Sequence, residues 1–128
     1  MSTNSGPGYS QNPQHRVYTG PAGVRIRITF NGEIVADTRD AIRLEESGYA
    51  PVFYIPRTDV KMDYLTRTEH QSYCPYKGKA SYFALSAGGR TQQNAIWSYE
   101  QPYDEVSVIR ERLAFYANKI DRIEALAS

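Results

Sequence analysis

The clearest pattern along this chain is alternation. Between residues 24 and 30 the apolar Val24, Ile26, Ile28 and Phe30 take every second position, with Arg25, Arg27 and Thr29 between them. A period of two puts each set on its own face, so the tract predicts a half-exposed β-strand. Asn31-Gly32 follows, and both residues accept positive φ, which predicts a tight hairpin. Glu33 to Asp37 then returns antiparallel. Ala41 to Glu46 reads as a short strand or a helical turn. Val52-Phe53-Tyr54-Ile55 is a short apolar strand ended by Pro56. Thr58 has the chemistry of an N-cap, with Asp59 in the first turn, so a short helix is expected from Asp59 to about Leu65. Lys79 to Leu85 and Gln93 to Glu100 are further strand candidates, joined by the hairpin loop Ala87-Gly88-Gly89-Arg90. Near the C-terminus Val106, Ile109, Leu113, Tyr116, Ile120 and Ile123 recur at helical spacing, yet Leu113 to Tyr116 also has strand-like content. Both assignments stay open. Strands in hairpin order predict a mainly β, antiparallel domain.

Composition adds boundaries. Residues 1 to about 22 contain Ser, Asn, Gly, Pro and Gln with almost no aliphatics. Such a segment cannot bury enough surface to offset its ordering entropy. It is assigned to a flexible leader, docked at most near Val17 and Tyr18, ahead of a β-rich domain over 23–128. The 128 residues suffice for one modest core. A net charge of +1 gives no strong field toward nucleic acid or an anionic membrane, and neither partner is expected. The single cysteine rules out an internal disulfide. No apolar run spans a bilayer, and no basic-then-apolar signal pattern opens the chain, so the cytoplasm is the expected compartment.

The candidate chemistry gathers between Thr68 and Tyr82. This stretch holds the only cysteine, Cys74, with His70, Lys77, Lys79 and three tyrosines. Pro75 and Gly78 bracket Tyr76 and Lys77, so the backbone turns there. Cys74 is either a small buried hydrophobe or a thiol activated by Lys77 or a protonated His70. Lys77 is either a solvated turn residue or an ammonium reaching an anionic ligand or a carboxylate such as Asp59 or Glu33. His70 is an exposed strand residue or a general base near the thiol. Trp97 and Tyr99, two apart, share a strand face and serve as core or as pocket walls; Tyr54, Tyr76 and Tyr82 divide the same way. Asp59 is a helix-start carboxylate or a buried acid, and Arg57 beside it is solvated or closes a pocket. No metal site is expected, because structural zinc needs four ligands and this chain offers one cysteine and two distant histidines. No cofactor is indicated.

Taken in order, Phe30-Asn31-Gly32-Glu33, Ala36-Asp37, Pro51-Val52 with Tyr54-Ile55-Pro56, Asp59-Val60, Cys74-Pro75-Tyr76-Lys77-Gly78 with Ala80 and Tyr82, Trp97-Ser98-Tyr99 with Pro102, and Ala114-Phe115-Tyr116 form a specific set. This set resembles the DUF427 domain, a bacterial family of uncharacterised proteins, from about Val24 to Ile123. The resemblance implies a single β-tent domain of the Mss4-like kind with one or two short helices. It places a short helix from about Glu105 to Ile109 and a strand from Leu113 to Tyr116. The family sometimes carries a nucleotidyltransferase label. This chain has neither a Gly-Ser followed by a spaced aspartate pair nor a phosphate-cradling glycine loop. The departure from the Cys-x-x-Cys pairs of several β-tent relatives also weakens any analogy to sulfoxide reductases, since no second cysteine can resolve an oxidised Cys74.

Three functions follow as expectations. The first is binding of a small molecule of unknown identity in a pocket walled by Tyr54, Tyr76, Trp97 and Tyr99, with Lys77 supplying charge and Arg57 and Asp59 nearby. The second is a thiol-dependent enzyme built on Cys74, Lys77 and His70. The third is a structural or protein-interaction module in which the Cys-Pro-Tyr-Lys-Gly turn only fixes the fold. Whether the protein is an enzyme, and whether copies form a homo-oligomer, stay open.

Overall fold

The structure is a computed structural model, and it describes residues 4–127. Among the described residues ten strands form three antiparallel sheets. They are β1 (Val17–Pro21), β2 (Arg25–Phe30), β3 (Glu33–Thr38), β4 (Ile42–Glu46), β5 (Val52–Tyr54), β6 (Leu65–Cys74), β7 (Gly78–Ala87), β8 (Arg90–Ser98), β9 (Ala114–Phe115) and β10 (Arg122–Leu126). Their orders are β1-β4-β5, β10-β2-β3 and β6-β7-β8-β9. The mainly β, antiparallel class expected from the alternation is what the chain adopts. Among the described residues no helix is long and apolar enough to cross a membrane.

The β2–β3 hairpin follows its sequence signal closely. Asn31 and Gly32 both take positive φ, at 50° and 79°, as a tight hairpin turn needs. Ile26, Ile28 and Phe30 are buried on one face of β2. They join Val35, Ile55, Phe83, Leu85, Ile96, Leu113 and Phe115 in the larger of two apolar clusters. The smaller cluster includes Ile42, Leu44, Tyr54, Ala80, Tyr82, Tyr99 and Ile109, with Cys74, Val52, Trp97 and Tyr116 packed against it. Cys74 and Trp97 therefore stand at the edge of the smaller core.

Several expectations are corrected. The helix expected from Asp59 is two separate 3₁₀ turns, Arg57–Asp59 and Met62–Tyr64, and Leu65 already opens β6. Thr58 makes no cap; Pro56 stands at the N-cap position, without a side-chain hydrogen bond. Val60 takes extended φ/ψ and bridges to Ala36, which leaves no room for a continuous helix. Ala41 to Glu46 resolves as strand β4. The Val106–Ile123 periodicity is not one helix: a 3₁₀ segment over Asp104–Ile109 precedes β9, and β10 follows. This is the division that the family resemblance implied.

The segment assigned to a leader carries structure ahead of residue 23. Val17–Pro21 pairs with β4, and a helical turn, α1 (Gly8–Gln11), sits against the Pro75–Lys77 turn. Its backbone polar groups find partners in the folded domain: the Gly8 N–H donates to the Pro75 carbonyl at 3.0 Å and the Asn4 N–H to Asp104 at 2.9 Å.

Candidate functional site

The Cys-Pro-Tyr-Lys-Gly motif is the loop of the β6–β7 hairpin. Cys74 and Gly78 are opposed in the ladder, and Pro75, Tyr76 and Lys77 form the loop. Proline sets its own φ at the start of the loop. Gly78 takes a φ of 111°, a backbone conformation closed to most side chains. The loop thus has one shape, and that shape aims Tyr76 and Lys77 in different directions.

Lys77 turns into a cavity of about 340 Å³ that opens between β4–β5 and the β6–β9 sheet. Leu44 and Glu46 enter from β4 and Val52 from β5. Cys74 comes from β6, Tyr82 from β7 and Trp97 from β8. Tyr99 and Tyr116 follow the ends of β8 and β9, and Tyr49 and Ala50 form the loop between β4 and β5. Tyr82 and Trp97 are cross-strand partners, so they share one face of the sheet, and both rings lie against Tyr116. Trp97 and Tyr99 line the cavity together, as their two-residue spacing predicts.

Charge sits at one end. The Lys77 Nζ donates to Glu46 Oε1 at 2.6 Å, and the two side chains are only 13% and 10% exposed. His15 Nε2 holds the other Glu46 oxygen at 2.8 Å. Burial alone would raise the Glu46 carboxyl, but the hydrogen bonds from Lys77 and His15 outweigh it and leave it below its ordinary value. Lys77 also stands 5.8 Å from the centre of the Tyr99 ring, within cation–π range. Burial pushes the hydroxyls of Tyr99 and Tyr116 up, so both remain neutral phenols.

Other predicted site residues lie elsewhere. Tyr54 is wholly buried behind the cavity wall, where its hydroxyl accepts a 3.3 Å hydrogen bond from Trp97 Nε1. Tyr76 points away, against the N-terminal segment. It packs edge-on to Tyr9, lies 4.4 Å from the His15 ring and donates to the Asn12 carbonyl at 3.2 Å. Arg57 belongs to a separate ion cluster with Glu100 and Arg67. Asp59 accepts a hydrogen bond from Thr38 Oγ1 at 2.7 Å. Neither Asp59 nor Glu33, the carboxylates suggested for Lys77, is its partner; Glu33 accepts from the Tyr64 hydroxyl at 3.2 Å. His70 is exposed on β6, 4.4 Å from the Tyr82 ring, and does not line the cavity. Of the predicted residues, the structure gathers Cys74, Lys77, Tyr82, Trp97 and Tyr99 around the cavity.

Glu46 is the residue that sequence reasoning missed, and a signal for it existed. Ile42, Leu44 and Glu46 occupy alternate positions of one strand, so a carboxylate stands where the pattern asks for an apolar side chain. A buried acid requires a cation. His15, Tyr49, Val52 and Tyr116 carried no comparable mark. Chemically the site offers an aromatic slot, a half-buried thiol and one ion pair of zero net charge. Among the described residues no three His, Cys, Asp or Glu side chains converge to hold a metal ion.

No curated protein matches this chain. A family model does match it, over residues 19–125. That stretch contains Glu46, the Cys74–Gly78 hairpin loop and every aromatic wall of the cavity, and the chain belongs to this family, described as a domain of unknown function, DUF427.

Proposed function

We propose that this protein binds a small molecule in the cavity beside the Cys74–Gly78 loop. The observation that carries the reading is the convergence of Tyr82, Trp97, Tyr99 and Tyr116 on a concave space with the nearly buried Lys77–Glu46 pair at one end. Specific ligand sites have this composition: a mainly apolar wall for affinity and a few fixed polar groups for orientation. The volume of about 340 Å³ lies at the lower end of such sites, which suits a metabolite-sized ligand. The partner is thus a small molecule, and a reducing, cytoplasmic setting suits the free Cys74.

The thiol-enzyme reading draws support from Cys74 lining the same cavity. Against it, Lys77 already neutralises Glu46, and His70 stands outside the cavity. The groups proposed to activate sulfur are engaged elsewhere or absent, so binding is the better-supported function.

A thermal-shift screen of metabolites tests the reading. A ligand at a hundred times its Kd stabilises the folded state by about 2.7 kcal/mol. Trp97 is the sole tryptophan, so a true hit also changes its fluorescence. Val52→Phe fills the cavity from β5 and is expected to abolish the shift. A hit that leaves Trp97 emission unchanged and survives Val52→Phe binds somewhere else and refutes the proposal.

A further inference from the structure

Building on that cavity reading, we propose that the ligand is an uncharged planar molecule presenting an amide-like edge, a hydrogen-bond acceptor beside a donor, to Lys77 and Glu46.

The argument is one of charge and valence. Lys77 and Glu46 are 2.6 Å apart, nearly buried, and both line the cavity. Together they carry no net charge. An ammonium has three N–H donors, and among the described residues the Lys77 ammonium donates to Glu46 Oε1 alone. A carboxylate has about four acceptor positions, and Glu46 uses one on Lys77 and one on His15. The pair therefore offers the cavity spare N–H donors beside spare lone pairs. A group that accepts at one atom and donates at the next completes both.

A charged ligand fits less well. A carboxylate would gain from Lys77 and be repelled by Glu46 next to it. An ammonium or amidinium would meet the reverse. Either would be desolvated without a net countercharge, a cost that favours the neutral ligand. The walls select shape. Trp97 and Tyr116 lie 4.4 Å apart with rings tilted by 43°, and Tyr99 sits beneath the Lys77 ammonium. Flat rings bury the most area against such surfaces. His15 lies behind the pair on the N-terminal segment. It holds the second Glu46 oxygen and so fixes the direction of the first.

Three isosteric probes separate charge from shape: benzamide, benzoate and benzamidine. Their affinities are measured by ligand-observed NMR at one fixed near-neutral pH, at which benzoate and benzamidine are both ionised. The wild-type protein is expected to bind benzamide about tenfold more tightly than either ion. Lys77→Met leaves Glu46 unneutralised and should turn the preference to benzamidine. Glu46→Gln leaves Lys77 unneutralised and should turn it to benzoate. A merely structural pair would weaken all three probes alike. If one variant fails to fold, the wild-type order and the other variant still decide. Benzoate or benzamidine bound at least as well as benzamide by the wild type overturns the proposal, as do variants that keep the wild-type order. If none of the three binds, this ligand class is also wrong. The cavity reading is judged apart, by the Trp97 response in the metabolite screen.

Discussion

The Lys77–Glu46 pair is the residue-level fact on which the site depends. Removing one member leaves the other nearly buried without its countercharge. Lys77→Met is therefore expected to destabilise the fold by about 3 kcal/mol, read from urea unfolding. Glu46→Gln should cost less, because Lys77 retains the Gln carbonyl as acceptor and the Tyr99 ring. The double variant should be milder than the two losses added, with a coupling of about 1–3 kcal/mol. A coupling near zero would mean that the pair is solvated after all. The held-down Glu46 carboxyl gives the same contact a pH dependence. Its contribution is complete above the ordinary carboxyl value of 4.5 and fades as pH falls below it. Cys74 gives a second check at this scale. It lines the cavity, so iodoacetamide should modify it in the folded protein, and the adduct should block any ligand found in the screen. Modification without loss of binding would place the thiol outside the ligand's path.

At the scale of elements, the N-terminal segment packs closely on the hairpin loop at Gly6 and Gly8. Gly8 lies so near the Tyr76 ring that a Cβ there would come within 2.7 Å of ring carbons. Gly8→Ala should therefore push α1 off the loop and cost about 1–3 kcal/mol, the range for overpacking. Faster proteolysis ahead of Val17 would report the detachment; unchanged cleavage and melting would show that the ring simply moves aside. Composition could not announce this docking. Residues 4–16 supply few apolar atoms, and what holds them is mainly polar: a hydrogen bond to Pro75, the Tyr9, Asn12 and His15 contacts with Tyr76, and carboxylates at Glu46, Asp104 and Glu105. The strands divide on the same principle. β2 was legible because one face of it is buried and its alternation records that burial, β3 followed from the Asn31-Gly32 turn, and β7, buried on both faces from Tyr82 to Leu85, showed as an apolar run. β6 was not legible as a ten-residue strand. It is the exposed edge of its sheet, so Thr66, Arg67, Glu69 and Gln71 face water and leave no periodic trace.

Over the whole molecule, the cavity arises where distant strands meet, and this limited what the sequence could disclose. The loop from Cys74 to Gly78 was visible as a local motif, whereas its carboxylate partner lies 31 residues away and only the fold joins them. Arg57 and Asp59 looked like pocket residues because of their neighbours in sequence, and the fold turns them elsewhere. Arg57 instead enters a second long-range cluster. Glu100, just past β8, binds Arg67 of β6 through both oxygens, at 2.8 and 2.6 Å, and Arg57 ahead of β6 at 3.1 Å. Both guanidinium groups also lie over the Phe83 ring of β7, Arg67 at 5.0 Å and Arg57 at 5.6 Å. One carboxylate thus ties three separate stretches of chain. The Arg67 hydrogen bonds lead in pulling its pKa down to about 2 from 4.5. A lowered carboxyl value stabilises the fold fully above pH 4.5, and that contribution drains away as pH falls toward 2. Glu100→Gln removes the charge at every pH. The variant should be less stable than the wild type by about 1–2 kcal/mol at neutral pH, since part of the cluster is open to solvent screening. The gap should close as pH drops from 4.5 toward 2, because the wild-type side chain then becomes neutral as well. Paired melting curves across that range measure it. A gap that stays constant down to pH 2 would show that Glu100 contributes through packing, and that charge does not hold these segments together.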